Sequence, residues 1–82
     1  MRIGIAGTIE SNDCLITVKD SDKLEITIES IVYDYFKDNI EAVILDTLRE
    51  KKLDKVSVLC QDKGALDFTI KARLITAIER MK

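Results

Sequence analysis

Two serines in predicted turns are the side chains of this sequence that could carry chemistry. Ser11 lies within Glu10–Asp13 and Ser21 within Asp20–Lys23, two polar runs of the turn-forming kind. The chain has no histidine, so mechanisms with an imidazole base, nucleophile or metal ligand are excluded. An exposed hydroxyl can still accept a group from a modifying enzyme that supplies its own base, although a turn serine usually satisfies only backbone groups.

The other reactive side chains are less promising as catalysts. Paired catalytic carboxylates need a cleft that raises one pKa, and we expect the carboxylates near the predicted turns and strands to be solvated: Glu10, Asp13, Glu25 and Glu29. The two cysteines, Cys14 and Cys60, are too few for a four-ligand zinc site, so no metal is expected. We expect no cation beside Cys14, hence no lowering of its pKa and no redox or acyl-accepting role.

Size and charge narrow the class of protein. Eighty-two residues, 46% of them hydrophobic, predict a single domain over residues 1–82. The net charge of −2 argues against nucleic-acid binding through phosphate neutralisation. No apolar stretch approaches the roughly 20 residues of a membrane span, and two cysteines make no disulfide framework, so we expect a cytoplasmic protein. The size favours a carrier or subunit over a complete catalyst.

Strand periodicity dominates the N-terminal half. Short extended segments are predicted over residues 3–9, broken by two glycines, and over residues 14–19 and 24–29, the last extending to about Tyr33. We expect these segments to form an antiparallel meander of three strands. Residues 1–41 carry nine acidic and four basic residues, and residues 42–82 carry six and nine. The acidic half could steer docking to basic partners or could simply keep the chain in solution.

Helical periodicity appears in the C-terminal half. Asp38–Glu41 has the spacing of a capping box and predicts a helix start, with apolar residues at helical spacing through Leu48. Lys55–Cys60 predicts a fourth strand, Asp62–Gly64 a turn, and Leu66–Met81 the apolar stripe of a closing helix. The order β-β-β-α-β-α predicts a small α+β domain with an antiparallel-dominated sheet and both helices packed on one face.

Two segments resemble signatures of a known family. Residues 6–13, Ala-Gly-Thr-Ile-Glu-Ser-Asn-Asp, resemble the N-terminal signature of the citrate lyase acyl carrier protein, the gamma subunit of that complex. Asp62–Asp67, followed by Ala72–Leu74, resembles its second signature. The resemblance spans nearly the whole chain. It departs at Asn12, where glycine is expected after the serine, and in lacking the longer terminal extensions of many members.

The resemblance implies a non-catalytic carrier subunit. It implies that Ser11 is joined by a phosphodiester to 2'-(5''-phosphoribosyl)-3'-dephospho-CoA, whose thiol bears acetyl and citryl thioesters during citrate cleavage to acetate and oxaloacetate. The implied partners are the citrate lyase alpha subunit (acyl transferase), the beta subunit (citryl lyase) and the prosthetic-group transferase (holo-carrier synthase), with no nucleic acid or membrane. The alternatives are a carrier of a related complex such as malonate decarboxylase, against which the Asp62–Asp67 signature speaks, or an unmodified interaction module.

Overall fold

Strands and helices follow the predicted β-β-β-α-β-α order in a computed structural model that describes residues 1–30 and 33–81. The elements are β1 (Ile3–Gly7), β2 (Cys14–Asp20), β3 (Glu25–Ser30), α1 (Tyr33–Glu50), β4 (Val56–Asp62) and α2 (Asp67–Glu79). They form one four-stranded sheet, in which two strand pairs are antiparallel and one is parallel. The predicted α+β class with an antiparallel-dominated sheet is therefore confirmed.

The strand order differs from the predicted meander. The order in the sheet is β1-β2-β4-β3, so β4 lies between β2 and β3 and pairs in parallel with β3. The reason is helix α1, because an 18-residue crossover is long enough to return the chain for a parallel pairing. The burial of the strands agrees with this order. Glu25 and Glu29 mark β3 as an edge strand, whereas no position of β4 is exposed.

The start of α1 and the end of β3 also differ from the predictions. Helix α1 begins at Tyr33 rather than at the capping-box pattern Asp38–Glu41, which lies inside the helix, with Asp38 on its exposed surface. Strand β3 ends at Ser30, so its predicted extension to Tyr33 is wrong, and residues 31 and 32 of that extension lie outside the described residues. A capping box is a four-residue pattern, and a polar pair at that spacing also occurs on the exposed surface of a helix interior.

The core forms between one sheet face and the two helices. Alternate residues of β2 and β4 are fully buried, as strand periodicity predicts, and so are the inner faces of α1 and α2. Gly4 lets β1 and α2 approach closely, because an added Cβ would overlap the carbonyl of Ala77. The largest buried side chains include Ile16, Val18, Ile44, Leu48, Val56, Val58, Ile70 and Leu74.

The closing helix is shorter than its predicted stripe. Leu66 is the N-cap of α2 and is 62% exposed, so the expectation that it faces the core is wrong, while Ile70 and Leu74 are buried as expected. Neither helix, over the part of the chain that the structure describes, is long and apolar enough to cross a membrane.

Candidate functional site

Ser11 lies in the turn that joins β1 to β2. The N–H of Asp13 donates to the carbonyl of Glu10 at 3.2 Å, so Ser11 and Asn12 occupy the two central positions of a β-turn. Ser11 is exposed, and its hydroxyl makes no hydrogen bond to any residue within 1–30 or 33–81. The turn therefore presents a free hydroxyl to solvent.

Asn12 adopts the conformation that a glycine would adopt most easily. Its φ of 66° lies in the left-handed region, where asparagine is one of the few residues other than glycine that occur regularly. The departure from the expected glycine is thus compatible with the turn, since asparagine at the third position permits the same backbone path.

The backbone of the turn is bonded to the segment that follows β4. The N–H of Asn12 donates to the carbonyl of Lys63 at 2.8 Å, and the N–H of Lys63 donates to the carbonyl of Asp13 at 2.9 Å. At the other side of the loop, the N–H of Thr8 donates to the carbonyl of Cys14 at 3.2 Å. These bonds fix both sides of the turn and leave Ser11 at its outer end.

The carboxylate of Asp13 ties the same loop to helix α2. Arg73 donates from Nε to Oδ1 and from Nη2 to Oδ2, both at 3.0 Å. The N–H of Cys14 donates to Oδ1 at 2.7 Å, and the Thr8 hydroxyl donates to Oδ2 at 2.8 Å. The Arg73 hydrogen bonds, assisted by those from Cys14 and Thr8, lower the pKa of Asp13 to about 2. The expectation of a solvated Asp13 is therefore wrong.

Ser21, the other turn serine, is held by its surroundings. Its hydroxyl donates to Oε1 of Glu25 at 3.2 Å, and its N–H donates to the carbonyl of Lys55 at 3.0 Å. Ser21 is half-buried, whereas Ser11 is exposed. Of the two serines, Ser11 is the more accessible to a modifying enzyme.

The two cysteines lie in the core rather than at the site. Both thiols are free and fully buried, so neither is available to a substrate. The hydrogen bond between the thiols raises the pKa of Cys60, and burial raises it further. The same hydrogen bond lowers the pKa of Cys14, so our expectation for that pKa is wrong. Over the two described ranges, His, Cys, Asp and Glu side chains form no group of three that could hold a metal ion.

The buried carboxylate of Asp62 fixes the segment around Lys63 through hydrogen bonds. It is the last residue of β4 rather than part of a free turn, and it is 1% exposed. Its carboxylate accepts hydrogen bonds from the Ser30 hydroxyl and from the N–H of Ala65, both at 2.8 Å. Asp62 thus fixes the bend that brings Lys63 to the Ser11 turn.

The similarity to known proteins covers nearly the whole chain. A family model named ACP and described as malonate decarboxylase delta subunit (MdcD) matches residues 2–81. The citrate lyase acyl carrier protein of Lactobacillus acidophilus is 47% identical over 77 residues, which cover 93% of this chain and 79% of the relative. That of Treponema denticola is 40% identical over 79 residues, covering 96% and 91%. The chain belongs to the citrate lyase acyl carrier protein family. A third relative of the same name, from Streptococcus mutans, is 47% identical over 81 residues, covering 96% and 79%.

Membership of this family gives the chain an acyl carrier role, and its relatives are named as carriers rather than as catalysts. The resemblance inferred from the two signature segments is thereby confirmed. The structure adds that these segments meet, since Asn12 and Asp13 of the first contact Lys63 and Arg73 of the second. Sequence reasoning identified the segments but missed the contact between Asp13 and Arg73.

Proposed function

We propose that Ser11 is the covalent attachment site of the carrier arm, 2'-(5''-phosphoribosyl)-3'-dephospho-CoA. The observation that supports this most is the free Ser11 hydroxyl on a turn whose following residues, Asn12 and Asp13, are hydrogen-bonded to Lys63 and to helix α2. The chain fits such a group because a phosphodiester anchor requires an accessible hydroxyl and no metal or imidazole. The carrier family of the relatives also implies a covalently bound group.

In the attachment reaction, this chain contributes one reacting atom, the Ser11 Oγ. The Ser11 Oγ forms a bond to phosphorus of an activated phosphoric anhydride donor, and the phosphate-type leaving group departs with the electron pair of the broken P–O bond. The proton of the hydroxyl passes to a base of the transferase, because no residue of the described chain accepts a hydrogen bond from it. Ser11 is thus the acceptor, and the transferase is the catalyst.

After attachment, the chain acts as a rigid scaffold that anchors the prosthetic group. The terminal thiol of the arm supplies the chemistry by carrying acetyl and citryl thioesters during citrate cleavage to acetate and oxaloacetate. Attachment at a fixed turn holds the acyl group near its partner sites at a high effective concentration, provided that the arm spans them. The hydrogen bonds of Asn12 and Asp13 to the Lys63 segment hold the root of the arm in place.

The partners that fit this role are the alpha subunit (acyl transferase), the beta subunit (citryl lyase) and the prosthetic-group transferase, in the cytoplasm. The charge of residues 1–41, nine acidic against four basic residues, favours basic docking surfaces on these partners. Steering of this kind raises the association rate and weakens with salt.

Intact mass of the chain purified from its native host, or co-expressed with the transferase, tests the assignment. We expect added mass equal to the arm in the wild type and in Ser21→Ala, the matched turn serine, and none in Ser11→Ala. Ser11→Ala should fold normally but support no citrate cleavage when mixed with the partner subunits. Added mass on Ser11→Ala, or citrate cleavage by Ser11→Ala close to that of the wild type, would contradict the assignment.

A second candidate function is the acyl carrier of malonate decarboxylase. The description of the matching family model favours it, whereas the names of the curated relatives favour citrate lyase. Loaded chain mixed with each set of partner subunits separates the two, because release of oxaloacetate from citrate and decarboxylation of malonate are measured independently. A chain that stays unmodified in cells with active citrate lyase would instead support an interaction module.

A further inference from the structure

The Asp13 carboxylate has no hydrogen-bonding capacity to spare. Oδ1 accepts from Arg73 Nε and from the Cys14 N–H, and Oδ2 accepts from Arg73 Nη2 and from the Thr8 hydroxyl. A carboxylate has about four lone-pair sites, so this one is saturated. Because Thr8 and Cys14 lie on opposite sides of the Ser11 turn, a single carboxylate closes the loop and joins it to α2.

Gly7 makes room for this arrangement. Its φ is +100°, and a Cβ added there would overlap the carbonyl of Cys14 and lie 3.3 Å from Cδ of Arg73. A side chain at this position would therefore push against Arg73 as well as strain the backbone. The end of β1 is shaped so that the stem of Arg73 can pass over it to Asp13.

The placement of the pair argues against a purely stabilising role. The Arg73 side chain is 42% exposed and that of Asp13 is 14% exposed, so water screens the guanidinium in part and reduces what the pair adds to global stability. A bidentate contact between a planar guanidinium and a carboxylate does, however, restrict orientation strongly. Asp13 is the fourth residue of the β-turn that contains Ser11, and its N–H closes that turn on the carbonyl of Glu10.

We propose that Asp13 and Arg73 form a positioning pair, which holds the Ser11 turn in the conformation that the transferase modifies. This inference rests on the proposed attachment at Ser11 and deepens it. Arg73 does not touch the reacting atoms. It acts through Asp13, whose backbone N–H closes the turn on Glu10 and whose carbonyl accepts from Lys63.

The chain contains a matched control for this pair. Arg2 makes the same bidentate contact with Asp20, from Nη2 to Oδ1 at 2.9 Å and from Nε to Oδ2 at 3.1 Å, where β1 begins and β2 ends. The Arg2–Asp20 pair therefore has the same bidentate ion-pair geometry as Arg73–Asp13, but it lies at the end of the hairpin remote from Ser11. Arg73→Gln and Arg2→Gln remove one cation each, and Arg73→Lys keeps the charge but loses the bidentate geometry.

The test measures modification of folded chain by the transferase, with the chain as the varied substrate. For Arg73→Gln we expect kcat to fall by about tenfold or more, since a displaced nucleophile loses rate in the bound complex. Arg73→Lys should lie between Arg73→Gln and the wild type, and Arg2→Gln should stay within about twofold of the wild type. A variant that was merely less folded would raise KM and leave kcat unchanged, because saturation restores the folded substrate.

Amide hydrogen exchange gives a reading that needs no transferase. In Arg73→Gln we expect faster exchange at the amides of Asn12, Asp13 and Lys63, and in Arg2→Gln no change at these positions. An Arg73→Gln kcat within about twofold of the wild type, or an equal fall in Arg2→Gln, overturns the positioning role. Wild-type chain that the transferase leaves unmodified overturns the attachment proposal instead, so the two failures are distinct.

Discussion

The two ends of the β1–β2 hairpin contain the same kinds of side chain, but the contacts of these side chains differ. Each end has a turn serine and a bidentate arginine–aspartate pair, Arg73–Asp13 near Ser11 and Arg2–Asp20 near Ser21. Arg2–Asp20 joins the beginning of β1 to the end of the adjacent strand. Arg73–Asp13 joins a loop to a helix 60 residues away in sequence. The second kind of contact fixes the position of a loop relative to the whole fold.

Solvent exposure and backbone conformation separate the two ends further. The carboxylate-bearing side chain is 14% exposed in Asp13 and 35% exposed in Asp20, so the bonds of Asp13 are less screened by water. The Ser11 end also requires left-handed residues, Gly7 and Asn12, whereas residues 20–23 include none. The same polar groups therefore give a hydrogen-bonded serine at one end and, at the other, a free serine on a turn that is itself hydrogen-bonded to other parts of the chain.

Leu74→Ala should have the largest effect on stability of these substitutions and should leave the Ser11 turn intact. Leu74 follows Arg73 in α2 and is fully buried, so we expect a loss of about 2–5 kcal/mol in the free energy of unfolding, measured with urea. The kcat for modification of the folded fraction should not change. Leu66→Ala, at the exposed N-cap of the same helix, should change stability by less than about 0.5 kcal/mol. An unchanged urea midpoint in Leu74→Ala would show that the inner face of α2 is misplaced.

Substitutions at Asn12 should have intermediate effects and test whether the Ser11 turn depends on a left-handed residue. We expect Asn12→Ala to lose about 1 kcal/mol, because alanine is disfavoured at a φ of 66°, and Asn12→Gly to equal or exceed the wild type. Lys52→Gly is the matched control at a φ of 57° after α1 and should gain stability in the same urea assay. An Asn12→Ala chain as stable as the wild type would indicate that the turn can rearrange.

Acid should reveal the smallest difference between the two ends. The pKa of Asp13 is about 2 in the folded chain against an ordinary value of 3.8, so its contribution to stability is present above about pH 4 and is lost as the pH falls towards 2. The hydrogen bonds of Arg2 lower the pKa of Asp20 in the same direction. We expect the stability difference between wild type and Asp13→Asn to shrink below pH 4, and to shrink less for Asp20→Asn. Parallel urea titrations from pH 2 to 7 measure both, and a pH-independent difference for Asp13→Asn would contradict the ion pair.

Local patterns in the sequence predicted the parts of the fold that depend on local periodicity. The alternation of Cys14, Ile16 and Val18 predicted the buried face of β2, and the helical spacing of Ile70 and Leu74 predicted the inner face of α2. The turn at Ser11 followed from its polar residues. Each of these depends on neighbours within a few positions, which a single sequence displays directly.

Features that depend on distant residues were not predicted. The insertion of β4 beside β2 depends on the crossover through α1, and the contact of Asp13 with Arg73 leaves no periodic pattern in either segment. The acidic turn residue resembled a solvated one because its partner is 60 residues away. The resemblance indicated both segments but not the hydrogen bonds that join Asn12 and Asp13 to Lys63 and Arg73.

The late position of Lys63 and Arg73 in the chain has a consequence for the timing of synthesis. A growing polypeptide that still has residues 63–73 within the ribosome lacks two partners of the Ser11 turn, the carbonyl of Lys63 and the guanidinium of Arg73. Ser11 is translated before both of these partners, so its turn can make these contacts only after residue 73 has left the ribosome. A transferase that requires both contacts would not modify nascent or truncated chains that lack residues 63–73.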